Sequence, residues 1–64
     1  MQEGYLYGKS GELLGQVQKS GDIYMLYSVS GAFLGQYDSS SNFTYDVHGN
    51  LVGSGNLLGT LLSR

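Results

Sequence analysis

One nine-residue pattern occurs three times in this chain: Tyr, three residues, Gly, one residue, two apolar residues, Gly. It runs from Tyr7 to Gly15, from Tyr27 to Gly35 and from Tyr45 to Gly53. The Tyr-to-Gly and Gly-to-Gly spacings are four in every copy. A glycine four residues after a tyrosine, followed by an apolar pair, reads as a strand, a tight turn and a returning strand. Glycine supplies the positive φ that short hairpin loops require. The pattern predicts three repeated β-hairpins over about 5–18, 23–38 and 43–55, in one domain spanning 1–64. Residues 1–4 read as a frayed lead-in.

Ser10-Gly11, Ser30-Gly31 and His48-Gly49 are expected as two-residue hairpin loops, which places Lys9 opposite Glu12. Ser20-Gly21 lies in the turn over 19–22 that joins the first two hairpins. Ser39-Ser40-Ser41-Asn42 is a polar connector to the third. Alternation puts Tyr5/Met25/Phe43 and Tyr7/Tyr27/Tyr45 on one face of the sheet, and Leu6/Leu26/Thr44 on the other. The apolar pairs Leu13-Leu14, Phe33-Leu34 and Leu51-Val52 add one apolar side chain to each face. Neither face is cleanly polar. A chain of 64 residues has one small core, and chains this short are commonly reinforced by disulfides, a metal or a partner. There is no cysteine and one histidine, which leaves association. The expected fold is therefore all-β: an antiparallel meander of three hairpins, in a small barrel or a stacked sheet completed by oligomerisation. Gly15, Gly35 and Gly53 fall inside the return strands, opposite Leu6, Leu26 and Thr44. A glycine there weakens an isolated strand, so each is expected at a bulge, a corner or a close packing contact.

The tail, 56–64, breaks the pattern. Gly55 to Gly59 repeats only the Gly-x-apolar-apolar-Gly half. Leu57, Leu58, Leu61 and Leu62 suit one face of a helix with Asn56 as its cap. Gly59 and the short length favour a strand. In either form the four leucines are expected at an oligomer interface.

Tyr45-Asp46-Val47-His48-Gly49-Asn50-Leu51-Val52, preceded by Phe43-Thr44, resembles a YD repeat of the Rhs type, whose core is Tyr-Asp-x-x-Gly-Asn/Arg-Leu. The resemblance is confined mainly to 43–52. The first two copies carry Gly8 and Ser28 at the Asp place, and Glu12 and Ala32 at the Asn place. It implies hairpin strips of the kind that wind into shells in large proteins, and carbohydrate binding has been suggested for the family. It implies no catalytic activity.

Composition narrows the function classes. The formal charge is −2, and Lys9, Lys19 and Arg64 are the basic residues, too few for the basic patch of a nucleic-acid binder. No apolar run approaches the ~18 residues of a membrane helix. No basic leader precedes a long apolar run. Charged residues make up 12%, a weakly charged surface that favours self-association. Compartment is left open.

His48 takes the turn place of Ser10 and Ser30 and reads as an exposed loop residue. Asp46 and Ser54 are its nearest candidates for a catalytic trio, but a small hairpin cannot exclude water around them. Asp22, Asp38 and Asp46 lack calcium-loop spacing. The glycine-rich stretch 49–55 lacks the lysine and helix of a phosphate cradle. No catalytic residue, metal site or cofactor is expected. The tyrosine row, Tyr5, Tyr7, Tyr27 and Tyr45 with Phe43, is the candidate binding surface, because aligned rings can stack on a sugar or clamp a peptide. The leading expectation is a non-enzymatic structural or interaction module that self-assembles through its apolar sheet faces and tail. The alternative is a carbohydrate- or peptide-binding module that uses the tyrosines, with a protein or glycan as partner.

Overall fold

The computed structural model describes residues 4–63 and, for Ser63, only its backbone. Six strands follow one another in sequence: β1 (Gly4–Tyr7), β2 (Leu13–Ser20), β3 (Ile23–Ser28), β4 (Phe33–Asp38), β5 (Phe43–Asp46) and β6 (Leu51–Ser54). Each pairs antiparallel with the next, in one sheet ordered β1-β2-β3-β4-β5-β6. The chain is thus an all-β meander of three hairpins. The barrel alternative is not realised: β1 and β6 stay at opposite edges. Gly4 already belongs to β1, and the rest of the expected lead-in lies outside the described residues.

The hairpin loops hold three residues rather than two. In the first, the Gly8 amide donates to the Glu12 carbonyl at 2.8 Å and the Gly11 amide donates to the Gly8 carbonyl at 3.0 Å. Ser28 and Ala32, then Asp46 and Asn50, make the same bond in the other two. The loops are therefore Lys9–Gly11, Val29–Gly31 and Val47–Gly49. Gly11, Gly31 and Gly49 close them at φ 82°, 92° and 83°, the left-handed conformation that ends a three-residue loop. Lys9 consequently sits within the loop, and Gly8 is the residue opposite Glu12. Between hairpins, Gly21-Asp22 makes a two-residue turn joining Ser20 to Ile23. The polar connector 39–42 ends on Asn42 at φ 62°, whose Oδ1 accepts the Tyr37 hydroxyl at 2.7 Å.

The repeat glycines sit beside bulges. In the first hairpin Leu6 faces Gly15 and Tyr7 faces Leu13, so Leu14 is an extra residue in β2. The second hairpin pairs Leu26 with Gly35 and Tyr27 with Phe33, leaving Leu34 extra. The third pairs Thr44 with Gly53 and Tyr45 with Leu51, leaving Val52 extra. The pairing of Gly15, Gly35 and Gly53 with Leu6, Leu26 and Thr44 is the one expected. The bulge lets the second apolar residue of each pair leave the ladder. Leu34 and Val52 use that freedom to pack on the core.

The core lies on one side of the sheet. Val17, Leu26, Leu58 and Leu61 are buried, with Leu6, Tyr24, Leu34, Tyr37, Val52 and Leu62 packed around them. Leu58 and Leu61 come from the tail, which forms a 3-10 helix over Leu58–Ser63 and not the favoured strand. Asn56 caps it, its Oδ1 accepting the Leu58 amide at 3.2 Å. A Cβ added to Gly53 would meet Leu57, one added to Gly35 would meet Leu61, and one added to Gly15 would meet Leu62. The absent side chains of the three hairpins thus form a floor crossed by the tail, one leucine to each glycine. Thr44 fixes where the crossing begins. It holds the core-face place that Leu6 and Leu26 hold in the other copies, and it is fully buried. Its hydroxyl donates to the Gly55 carbonyl at 2.7 Å and accepts the Leu57 amide at 3.0 Å, the pairing that a buried hydroxyl demands.

The four tail leucines, expected at an oligomer interface, lie against the chain's own sheet, with Leu58 and Leu61 buried and Leu57 and Leu62 half-buried. The reason is geometric. Three glycines leave a trough shallow enough for leucines to drop into, which a row of larger side chains would have filled.

Candidate functional site

With the tail on one face, the other face is left uncovered. The cross-strand register defines it. Tyr7 faces Leu13, and Tyr5 faces Gln16. Gln16 then faces Tyr27, and Gln18 faces Met25. Tyr27 faces Phe33, and Met25 faces Gln36. Gln36 faces Tyr45, and Asp38 faces Phe43. Tyr45 faces Leu51, and Phe43 faces Ser54. Tyr5, Tyr7, Tyr27, Phe43 and Tyr45 thus share one face, interleaved with Gln16, Gln18 and Gln36. They do not make a straight row. Tyr27 lies level with Tyr5, one step along the strands from Tyr7, and Tyr45 lies one step beyond Tyr27. Each bulged hairpin shifts its tyrosine by two residues relative to the last, so the three repeat tyrosines form a diagonal.

The face is open at its β1 and β6 ends and tighter in the middle. Tyr5 and Tyr7 are 61% and 64% exposed, and Leu51 is 58% exposed. Tyr27 and Tyr45 are half-buried. The Tyr27 and Phe33 rings lie 5.7 Å apart, tilted by 59°, a favourable non-stacked geometry.

Beside this pair, between the second and third hairpins, is a cleft of about 280 Å³ lined by Phe33, Gln36, Tyr45, Asp46, Val47 and Gly49. Tyr45 is one of the expected binding residues; Phe33, Gln36 and Asp46 are not. Phe33 belongs to the repeated apolar pair, but it comes opposite Tyr27 because the loop holds three residues; the expected two-residue loop would have put Leu34 there. Gln36 belongs to no repeated motif, and the pairing sets it between Met25 and Tyr45.

Asp46 also holds the third loop in shape. Its Oδ1 accepts the His48 amide and the Asn50 amide, each at 2.9 Å. The Asn50 N–H is the main cause that holds its carboxyl below the ordinary aspartate range, with the His48 amide and charge adding to it. Ser28 plays the corresponding part in the second hairpin, its Oγ accepting the Ala32 amide at 3.1 Å. Gly8 has no side chain to offer. Glu12 supplies one from across the loop: its Oε2 accepts the Ser10 amide at 3.1 Å, and its carboxylate fills the space beside Gly8 where a Cβ would stand.

The trio Asp46, His48 and Ser54 is not assembled. His48 is an exposed loop residue, whereas Ser54 faces Phe43 at the far end of the hairpin. Among the described residues no three His, Asp or Glu side chains come together as metal ligands.

No family model, curated protein or solved structure matches the chain. The likeness to YD repeats rests on the residues that carry it.

Proposed function

We propose that this chain is a non-enzymatic structural and interaction module that associates with further copies of itself through its tyrosine face. One observation carries the reading: the tail seals one face of the sheet, while the other presents Tyr5, Tyr7, Leu13, Phe43 and Leu51 to solvent. A second copy is the occupant best suited to it. Among the described residues that the pairing places on this face, Asp38 is the one carboxylate, and there is no Lys, Arg or His; the whole chain carries a charge of only −2, so like faces repel weakly. The two longest dimensions of the chain, 32 and 22 Å, bound the projected area of any one face at about 700 Å², of the order of the ~800 Å² per partner of a stable interface. The tail is not the main contact in this reading, because Leu58 and Leu61 are buried in the chain's own core. Light scattering after size exclusion tests this. Oligomers at high micromolar concentration that revert to monomer in Tyr7→Lys/Leu51→Lys are expected. A strictly monomeric wild type at that concentration refutes the reading.

The cleft between the second and third hairpins favours a second reading, a carbohydrate- or peptide-binding module in which Tyr45 and Phe33 supply the rings. A glycan array with Tyr45→Ala as control tests its carbohydrate form. Binding indifferent to Tyr45 removes the tyrosines from it.

A further inference from the structure

The repeat builds the same junction twice. Between the first two hairpins, Leu13, Gln16, Tyr27 and Ser28 hold the places that Phe33, Gln36, Tyr45 and Asp46 hold between the last two. Glutamine and tyrosine are common to both. The second junction adds a ring and a carboxylate. We propose that its cleft binds a cationic side chain, the guanidinium or ammonium group of an arginine or lysine presented by a peptide; this rests on the second of the two readings above.

Three observations point to that ligand. The cleft measures about 280 Å³, just under the roughly 300–1,000 Å³ of sites for drug-sized molecules, so it suits one side chain rather than a whole ligand. Its lining holds one ionisable acid, Asp46, and no base. Both loop amides bond to Oδ1 of Asp46 and the Asn50 side chain also hydrogen-bonds to the carboxyl; a carboxylate has about four acceptor sites, so capacity remains for a further donor. Phe33 and Tyr45 wall the same cleft. An aromatic face beside a carboxylate attracts a cation through both ring and charge, and Gln36 adds an amide oxygen. The charge of −2 on the chain draws cations toward it.

The test is an amide NMR titration of the intact chain with N-acetyl-arginine methylamide and its neutral isostere N-acetyl-citrulline methylamide, with cellobiose as a third arm. Saturable shifts at Phe33, Gln36, Tyr45 and Gly49 with the arginine probe alone are expected. Asp46→Asn keeps an Oδ1 acceptor for the loop and should weaken binding at least tenfold. Phe33→Leu, which reproduces the first junction, should weaken it severalfold and serves where Asp46→Asn fails to fold. Leu13→Phe/Ser28→Asp should raise the stoichiometry from one site to two. Equal response to arginine and citrulline, shifts with cellobiose alone, or no response to any probe each overturn the proposal. Light scattering on the same samples reads self-association separately, so loss of one reading leaves the other standing.

Discussion

Gly35 is the most constrained residue of the repeat. Its φ is 157°, and a Cβ there would meet Leu61 from the tail and the Tyr45 carbonyl of the neighbouring strand. The carbonyl belongs to the sheet ladder and cannot move aside. At Gly53 the corresponding Cβ would meet only the end of the Leu57 side chain, which can rotate. Gly35→Ala should therefore cost about 2–4 kcal/mol and Gly53→Ala about 1 kcal/mol or less, read by urea unfolding. Against the ~3–10 kcal/mol typical of a chain this long, the first is a large share. Two aspartates add a pH dependence. Ser40 bonds to Asp38, through its hydroxyl first and its amide second, and the Asn50 and His48 amides bond to Asp46; both carboxyls are lowered below the ordinary aspartate value. A carboxylate whose folded pKa is depressed binds fewer protons folded than unfolded. Its contribution is complete above the unfolded value of about 3.9 and is lost as pH falls through the lower folded value. Thermal melts from pH 6 to pH 2 should show the wild type losing stability below about pH 4, and Asp38→Asn/Asp46→Asn losing less.

At the scale of elements, the three loops share a backbone but satisfy it with different side chains. Glu12 does for Ser10 what Asp46 does for His48, from the other side of the loop. Glu12→Ala should lower stability by about 0.5–1 kcal/mol, and Gly8→Asp alone should also destabilise by crowding two carboxylates together. Gly8→Asp/Glu12→Asn rebuilds the third loop in the first and should restore the melting temperature, within a few degrees of wild type. The tail is the other element with a defined role, closing the core. Leu58→Ala should cost about 2–5 kcal/mol, seen as a lowered midpoint in chemical unfolding. Both features bear on what the sequence discloses. The strands and their order are legible in the Tyr–Gly spacing, because alternation and turn chemistry are local. Even the glycine positions opposite Leu6, Leu26 and Thr44 follow from counting back from the turn, since a longer loop and a bulge offset one another. The tail is not legible, because its partner is an absence. Nothing in Leu57, Leu58, Leu61 and Leu62 announces that glycines 4 to 47 residues upstream will line up beneath them. The cleft hides for a related reason. Phe33 and Asp46 meet only after two hairpins have been paired in register.

For the molecule as a whole, the proposed association is either a condition of folding or a step that follows it. Two quantities decide. The accessible surface is 4042 Å², and a folded monomer of 6.9 kDa is expected to expose about 4,000 Å². The chain therefore hides as much of itself as a self-sufficient protein does. The tail accounts for this by supplying two of the four buried apolar core residues, Leu58 and Leu61. A sheet without it would expose Val17 and Leu26, and would then need a partner to fold at all. Self-association through the tyrosine face should accordingly be an addition to a folded monomer. Mass action sets how this appears: a partner that binds only the folded state raises the melting temperature with concentration, and the rise vanishes once the complex dissociates. Circular dichroism melts from about 200 µM down to about 1 µM should show a midpoint that falls and then levels at the value of monomeric Tyr7→Lys/Leu51→Lys, with the β signal retained throughout. A midpoint that keeps falling with dilution, or a β signal lost with the oligomer, would mean that the tail does not close the core and that the second copy does.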